Sequence, residues 1–354
     1  MEEQEIMKYF LGANTWHGFY SLYDSFVDLD DGDFLWVIKG GAGCGKSSFM
    51  KMLGAAAERA GLLVEYAHCS GDPDSLDGVY IPELKTAYMD GTAPHVADAR
   101  MTASDSTYLD LGAFYDCKAI SEYRPELEIL RLGCSELYSK AYAALEAAGA
   151  LRSGWLTTFY GENAYDAALK RVKGIAVREF GKRQREAGTE TRRFLSAITC
   201  KGCVSYTESA ANLCRRSYVL DNRFLLGEAV LPYLAQAATS AGYDIYTCPN
   251  PLTPEVLEAV YVPALSLGFC CSDSGLAATD NCRRIKLDSF AAVERRSELR
   301  RCKKLIATLI EEAIYALHEA KLMHDKIEAI YNPNVDFDGV YNLVRKHIES
   351  LALK

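Results

Sequence analysis

Apolar residues along the chain fall into two recurring patterns, a short continuous run and a helical stripe. The continuous runs, at residues 34–38 and 217–220, have the length and composition of buried strands. Each run is followed by apolar residues spaced three and four apart, which is the spacing of one face of a helix. These positions are Phe49, Met52, Leu53 and Ala56 after the first run, and Leu231, Leu234, Ala235 and Ala238 after the second. A strand followed by a helix is therefore predicted at two places in the chain.

These two places belong to an internal repeat that spans most of the chain. Residues 10–21 align with residues 194–205, and residues 79–84 align with residues 260–265. Each copy ends in long helical stripes, which we expect to pack as a helical hairpin inside the protein rather than to bind a partner. Strands that alternate with helices in this way predict α/β domains with mostly parallel sheets.

The two copies define predicted domains at residues 1–185 and 190–354. The run that joins the two domains, residues 181–193, carries charges and glycines and has almost no apolar side chains to bury. We interpret this run as a solvated linker rather than as a basic patch for nucleic acid.

Composition narrows the cell compartment and the kind of partner. The 354-residue chain has a formal net charge of −9, which argues against a broad nucleic-acid surface or an anionic membrane, although a local basic groove stays compatible with it. No apolar stretch approaches the ~20 residues of a membrane helix, and the first residues are acidic rather than apolar, so we expect neither a span nor a secretory leader. The twelve cysteines are expected to be free thiols in a reducing compartment, and the protein to be a cytoplasmic monomer.

The first strand–helix junction carries the most specific motif in the sequence. Residues 40–47 read Gly-Gly-Ala-Gly-Cys-Gly-Lys-Ser, which fits the phosphate loop G-x-x-x-x-G-K-[ST]. Glycines let the backbone wrap closely around a phosphate with its N–H groups inward, and the start of the helix favours the anion. The predicted nucleotide-binding residues are Gly40, Gly41, Ala42, Gly43, Cys44, Gly45, Lys46, Ser47 and Ser48. The fold predicted from the repeat and this loop is two tandem P-loop NTPase-like α/β domains with helical-hairpin appendages.

Three residues of this region are assigned roles in phosphate chemistry. Lys46 would reach the β- and γ-phosphate oxygens, and the Ser47 hydroxyl would ligate Mg²⁺. Asp90 ends a strand-like run and is the predicted second Mg²⁺ ligand and catalytic carboxylate, with Asp110 as the alternative. ATP is preferred over GTP because the Asn/Thr-Lys-x-Asp run typical of guanine recognition is missing; the nearest string is residues 285–288.

Other candidates in the first copy have simpler structural explanations. His95 could sense a γ-phosphate, and His68 with Cys69 ends a strand near the expected site, but a hydrogen-bonding or packing role is the preferred interpretation of each. The Cys44 thiol lies among phosphate-binding amides, where a thiolate would be stabilised and could act as a redox switch; we prefer the interpretation that it is a small residue tolerated in the loop.

The second copy does not retain a working phosphate loop. A direct alignment places residues 222–229 over the loop, with Glu228 in place of Lys46 and Ala229 in place of Ser47. A carboxylate there repels phosphate, so we expect a single nucleotide per chain and a structural or regulatory second copy. Cys200 and Cys203 have the spacing of a metal or redox pair, but we interpret them as free thiols. Arg215, Arg216 and Arg223 could act as arginine fingers, but we interpret them as surface residues in salt bridges.

The chain resembles the bacterial tandem P-loop proteins described as ATPases or nucleotide-binding proteins of unknown role. The resemblance rests on residues 39–48, 68–79, 81–84, 90–95 and 194–199 and extends over nearly the whole chain. It implies ATP binding at residues 40–48. In such proteins both copies commonly carry an intact loop, whereas here the second is abolished, so mechanisms that need two working sites are not implied.

The sequence therefore predicts a magnesium-dependent ATPase with one active site in its first copy. Two other functions stay open: a kinase that phosphorylates a nucleotide or small metabolite, and a nucleotide sensor without turnover. The sequence names no protein partner and no residue that activates water.

Overall fold

Each copy of the repeat folds into a six-stranded sheet with helices against it. The computed structural model describes residues 6–92, 98–155, 163–181, 186–276, 281–291 and 296–353. The first copy contains, in chain order, β1 (Met7–Phe10), β2 (Gly12–Thr15), β3 (Gly18–Ser21), β4 (Phe34–Lys39), α1 (Lys46–Arg59), β5 (Glu65–His68), β6 (Leu76–Ile81), β7 (Thr86–Asp90), β8 (Ser106–Asp110), α2 (Cys117–Ser121), α3 (Arg124–Trp155) and α4 (Ala164–Phe180).

The second copy repeats the order of the strands and long helices, but its short helix lies near its start, whereas the short helix α2 of the first copy precedes α3. It contains β9 (Glu190–Arg192), β10 (Ser196–Thr199), β11 (Gly202–Ser205), α5 (Thr207–Leu213), β12 (Arg216–Leu220), α6 (Leu226–Ser240), β13 (Ile245–Pro249), β14 (Leu257–Val262), β15 (Leu267–Cys271), β16 (Cys282–Ile285), α7 (Arg296–Tyr331) and α8 (Phe337–Ser350). Among the residues that the structure describes, no helix is both long enough and apolar enough to span a bilayer.

The two sheets have the same strand order and are mixed rather than mostly parallel. The order is β1-β5-β6-β7-β4-β8 in the first copy and β9-β13-β14-β15-β12-β16 in the second. The predicted α/β layout is confirmed, but β6 and β14 run antiparallel to both of their neighbours. The cause is connection length, because a parallel crossover needs about a dozen residues or more and the loops on either side of β6, residues 69–75 and 82–85, are shorter.

The two copies share an apolar core around a local two-fold axis. Side chains from both sheets, such as Val37 and Tyr261, are fully or almost fully buried in the same cluster. At its centre the equivalent residues Phe10 and Phe194 exchange two backbone hydrogen bonds, of 2.8 Å and 3.2 Å. A reciprocal contact between equivalent positions is the signature of two-fold symmetry. The copies are therefore packed like the subunits of a symmetric dimer.

The long helices α3 and α7 pack against each other and run in opposite directions. The Cys134 thiol of α3 lies 3.5 Å from the carbonyl oxygen of Ala320 of α7. The end of α3 reaches the second copy, where Arg152 donates a hydrogen bond of 3.0 Å to Glu228. The end of α7 reaches the first copy, where a Cβ built on Gly43 would lie 2.4 Å from Asn332 Oδ1. Each long helix thus leaves its own copy and ends in the other.

The last helix of each copy consequently covers the sheet of the other copy. In α4, Phe180 packs edge-on against Phe269 of β15, with ring centroids 6.0 Å apart. In α8, His347 Nδ1 lies 2.9 Å from the hydroxyl oxygen of Tyr88 in β7, and Val344 is buried with α1. Residues 1–185 and 190–354 delimit the repeat, whereas the packing is exchanged between its copies.

This exchange predicts how the chain behaves after it is cut between its copies. A protease site placed at the exposed residues Glu186 and Ala187 would sever the link without removing a strand or helix. We expect the two fragments to stay associated and to elute together at the volume of the uncut chain, because α4, α8 and the shared core bind each to the other. Fragments that separate as folded single-copy units would contradict the exchanged packing.

Candidate functional site

The loop between β4 and α1 has the backbone of an anion-binding cradle. Gly45 precedes α1 in the left-handed region, with φ of 89°, and Gly43 also has a positive φ of 68°. No described residue accepts a hydrogen bond from the N–H groups of these two glycines. The first turn of α1 also has no side-chain cap. Unpaired N–H groups at the positive end of a helix dipole favour an anion at this position.

The Lys46 ammonium is held over this loop by oxygen atoms. It donates hydrogen bonds of 2.8 Å to the carbonyl oxygens of Gly40 and Gly41. It also lies 3.6 Å from Asp90 Oδ2, and both side chains of this pair are 13% exposed. A positive charge with little access to water is thus fixed at the centre of the cradle, where it would neutralise a phosphate.

Asp90 lies at the end of β7, the strand directly beside β4. The two strands are parallel, and Asp90 pairs in register with Ile38 just before the loop. Its Oδ1 accepts hydrogen bonds from the N–H and hydroxyl of Thr92, at 2.8 Å and 2.6 Å. With Oδ1 engaged by Thr92, the Oδ2 atom of Asp90 is the one that lies near Lys46.

Asp110 lies on the opposite side of β4, at the end of β8. Its Oδ1 accepts a hydrogen bond of 2.8 Å from the N–H of Gly112, and its side chain is exposed. Asp90 therefore forms an ion pair with Lys46, whereas Asp110 accepts a hydrogen bond within its own turn.

Ser47 is positioned by the loop that connects β5 to β6. Its hydroxyl oxygen accepts a hydrogen bond of 3.0 Å from the N–H of Leu76. The same loop is fixed to α1 by Lys51, whose ammonium donates to the carbonyl oxygen of Asp74. Since one N–H occupies one lone pair of the hydroxyl oxygen, a second lone pair is left for a metal ion. Ser48 follows as an exposed residue of the first turn.

Burial and hydrogen bonding account for the other described candidates of the first copy. Cys44 is buried, and burial raises the pKa of its thiol, which disfavours the thiolate. Its role is thus that of a small residue in the loop. His68 Nδ1 lies 2.8 Å from the carbonyl oxygen of Pro73, and burial lowers its pKa. Cys69 is partly buried, and burial raises the pKa of its thiol. His95 lies outside the described residues.

Residues from outside the loop motif surround the cradle, and the sequence did not single them out. The Tyr115 hydroxyl donates a hydrogen bond of 2.7 Å to the carbonyl oxygen of Ala42. From the second copy, Asn332 lies over Gly43, and Phe337 lies 3.6 Å from a Cβ built on Gly45. The turn-like string at residues 332–334 was a possible signal for a loop, but nothing in it indicated where α7 would deliver that loop.

The register of α6 changes the predicted alignment of the second loop by one residue. The helices α1 and α6 end at equivalent caps, Ala60 and Ala241, each followed by a glycine with positive φ. Counting back along both helices places Gly227 at the position of Lys46, and Glu228 at that of Ser47. The placement of Glu228 over Lys46 was therefore wrong, because the second loop is one residue shorter. The conclusion that this loop has no lysine is unchanged.

A buried ion pair occupies this region in the second copy. The two terminal nitrogens of Arg152, Nη1 and Nη2, donate to the Glu228 carboxylate. Nη1 also donates a hydrogen bond of 3.0 Å to the Thr253 hydroxyl oxygen. The Asn222 amide oxygen accepts a hydrogen bond of 3.0 Å from the N–H of Glu228. The Arg152 and Glu228 side chains are only 10% and 7% exposed. The end of α3 thus places a cation and its partner where the first copy has Lys46 and Ser47.

The other second-copy candidates are not arranged as catalytic or metal sites. Cys200 is buried and Cys203 exposed at opposite ends of the β10–β11 turn. Among the described residues, the three side chains close enough to share a metal ion are His324, Asp325 and Glu328, mostly exposed on α7. Arg216 forms an ion pair of 2.7 Å with Glu179, as expected for a surface residue. The arginine at 223 lies over the ring of Phe224.

Comparisons of the chain with protein-family models, with curated proteins and with solved structures find no match. The chemistry of the site is therefore argued from its own residues. These residues are a glycine-rich backbone, a mostly buried ammonium and a neighbouring carboxylate.

The buried ion pair predicts a contrast between single and double variants. Arg152→Leu leaves the Glu228 carboxylate buried without its partner, so we expect the free energy of unfolding to fall by about 3–5 kcal/mol. Arg152→Leu combined with Glu228→Leu removes both charges and should restore most of that loss. Urea unfolding of the wild type and the two variants measures this difference. A double variant as unstable as the single one would contradict the ion-pair account.

A second acidic residue of this region predicts a pH dependence of stability. Burial raises the pKa of Glu258 to about 8, while Ser196 donates a hydrogen bond to its carboxylate. Because the unfolded residue has a pKa near ~4.3, the folded protein holds an extra proton between about pH 5 and about pH 8. The stability that this proton contributes is present at low pH and is lost as pH rises, by at most ~1.4 kcal/mol per pH unit.

Urea unfolding of the wild type and Glu258→Gln across this pH range tests the effect. We expect the wild type to lose stability relative to the variant as pH rises, because glutamine does not titrate. Parallel curves would show that Glu258 has an ordinary pKa.

Proposed function

We propose that the chain binds magnesium-ATP at residues 40–48 and hydrolyses it there, with one site per chain. The observation that carries the proposal is the convergence of Lys46, Asp90 and the glycine-rich backbone at the start of α1. The resemblance to tandem P-loop ATPases supports the same proposal, and this resemblance rests on sequence motifs rather than on the fold.

The residues present fit both ATP and Mg²⁺. The backbone of residues 40–45 and the first turn of α1 would bind the phosphates, and Lys46 would stabilise charge on the transferring phosphoryl group. Ser47 and Asp90 offer a hydroxyl and a carboxylate, the hard oxygen ligands that Mg²⁺ prefers. When bound, Mg²⁺ supplies neutralisation of the negative charge on the β- and γ-phosphate oxygens.

The second copy would take no nucleotide of its own. Its loop has Gly227 where Lys46 stands, and the region is filled by the Arg152–Glu228 pair. A phosphate there would have to displace a buried salt bridge and approach a carboxylate. One nucleotide per chain is therefore expected.

A second candidate function, nucleotide sensing without turnover, is supported by one contact. Asn332, at the end of α7, lies against Gly43 of the loop, so a bound phosphate would press on a segment of the other copy. In this case ATP would bind through the same residues, but the output would be a change in the packing of α7 and α8.

ATP turnover by four proteins tests the proposal. Lys46→Ala should lower the rate by about 10²–10³-fold, as expected for removing a donor to a developing negative charge. Asp90→Asn should lower it by about 10–100-fold and weaken the dependence on magnesium. Asp110→Asn is the matched control, since it changes a carboxylate at the end of the strand on the other side of β4, and it should keep the wild-type rate.

Three results would change parts of this proposal. A wild-type rate no higher than that of Lys46→Ala, in a protein that binds ATP, would leave only the sensor function. An effect of Asp110→Asn larger than that of Asp90→Asn would reverse the assignment of the metal ligand. Transfer of the γ-phosphoryl group to an acceptor, rather than release of phosphate into solution, would identify a kinase.

A further inference from the structure

An open cleft of about 430 Å³ lies beside the phosphate loop, at the surface where two segments from different copies pair with each other. Its walls are residues 113–116, which follow β8, and residues 333–336, which join α7 to α8. The segments are held together by two backbone hydrogen bonds, from the N–H of Asp116 to Asn334 O at 2.8 Å and from the N–H of Asp336 to Phe114 O at 2.9 Å.

The cleft and the phosphate loop are linked by shared contacts. Tyr115 lines the cleft, and its hydroxyl donates to the carbonyl oxygen of Ala42 in the loop. Asn332, the residue before the second wall, lies against Gly43. The ring of Tyr331 packs against that of Tyr115, with centroids 5.2 Å apart. A ligand whose phosphates occupy the loop would therefore have its remaining part next to this cleft.

The walls of the cleft offer the contacts that a nucleobase uses. Phe114 and Tyr115 supply aromatic surface for a flat ring, which stacks favourably on such side chains. The carboxylates of Asp116 and Asp336 are fixed at its rim, because each caps a helix through Oδ1, as acceptor from Ala119 N at 3.0 Å and from Gly339 N at 2.9 Å. Fixed acceptors favour a ring that carries amino N–H donors, as purines do.

We propose that this cleft binds the purine base of the nucleotide whose phosphates occupy residues 40–47. The inference rests on the proposed function, and it adds that the second copy completes the site of the first. The copy without a phosphate loop of its own contributes Pro333, Asn334 and Asp336 to the binding of the base.

A substitution that fills the cleft tests this without touching the phosphate loop. Ala113 is an exposed residue of the first wall, so Ala113→Trp would place an indole in the cleft while removing no buried side chain. Ala143→Trp, at an exposed position of α3, is the matched control. Calorimetric titration with magnesium-ATP and with magnesium tripolyphosphate, which has no base, separates the two parts of the site.

We expect Ala113→Trp to weaken ATP by about tenfold or more and to leave tripolyphosphate within about twofold of the wild type. Ala143→Trp should bind both ligands as the wild type does. Pro333→Trp, on the exposed second wall, should show the same selective loss and covers the case in which Ala113→Trp does not fold.

Wild-type affinity for ATP in both cleft variants would overturn the proposal, as would equal losses for ATP and tripolyphosphate in folded variants. A wild type that binds neither ligand would instead overturn the proposed function itself. Weak tripolyphosphate binding in Lys46→Ala, with the selective loss kept in Ala113→Trp, would support both.

Discussion

The packing of α3 against α7 is the contact on which the rest of the structure depends. Because the two helices run in opposite directions, each carries its copy's last helix to the sheet of the other copy. The α1 face of the first sheet is thus covered by α8, and the α6 face of the second by α4. Neither copy can bury its sheet alone, so the fold is a single cooperative unit built from a duplicated sequence.

The same exchange gives the two equivalent sites different chemistry. At the first loop, the end of α7 places Asn332 against Gly43, and the Lys46 ammonium lies beside the Asp90 carboxylate. At the second loop, the end of α3 places Arg152 in a buried ion pair with Glu228. The first loop also has two glycines with positive φ whose N–H groups have no acceptor among the described residues. This difference agrees with the proposal that a polyphosphate binds at the first loop alone.

The repeat, the α/β class and the loop at the start of α1 could be predicted from the sequence, because each leaves a local pattern. The antiparallel direction of β6 was missed, although the short connection at residues 69–75 excluded a parallel crossover. The one-residue error at Glu228 arose because a gapless alignment cannot detect a shorter loop. Contacts such as Asn332 with Gly43 had no local signal, since they depend on where a 36-residue helix ends in space.

The central claim is that one nucleotide binds between the copies, with its phosphates in the first loop and its base against the second copy. A crystal structure of the chain with magnesium and a non-hydrolysable ATP analogue tests this most directly. We expect phosphate density at residues 40–48, a metal ion between Ser47 and Asp90, and the base in the open cleft lined by residues 113–116 and 333–336. Analogue density at residues 222–228, or a first loop left empty at saturating ligand, would contradict it.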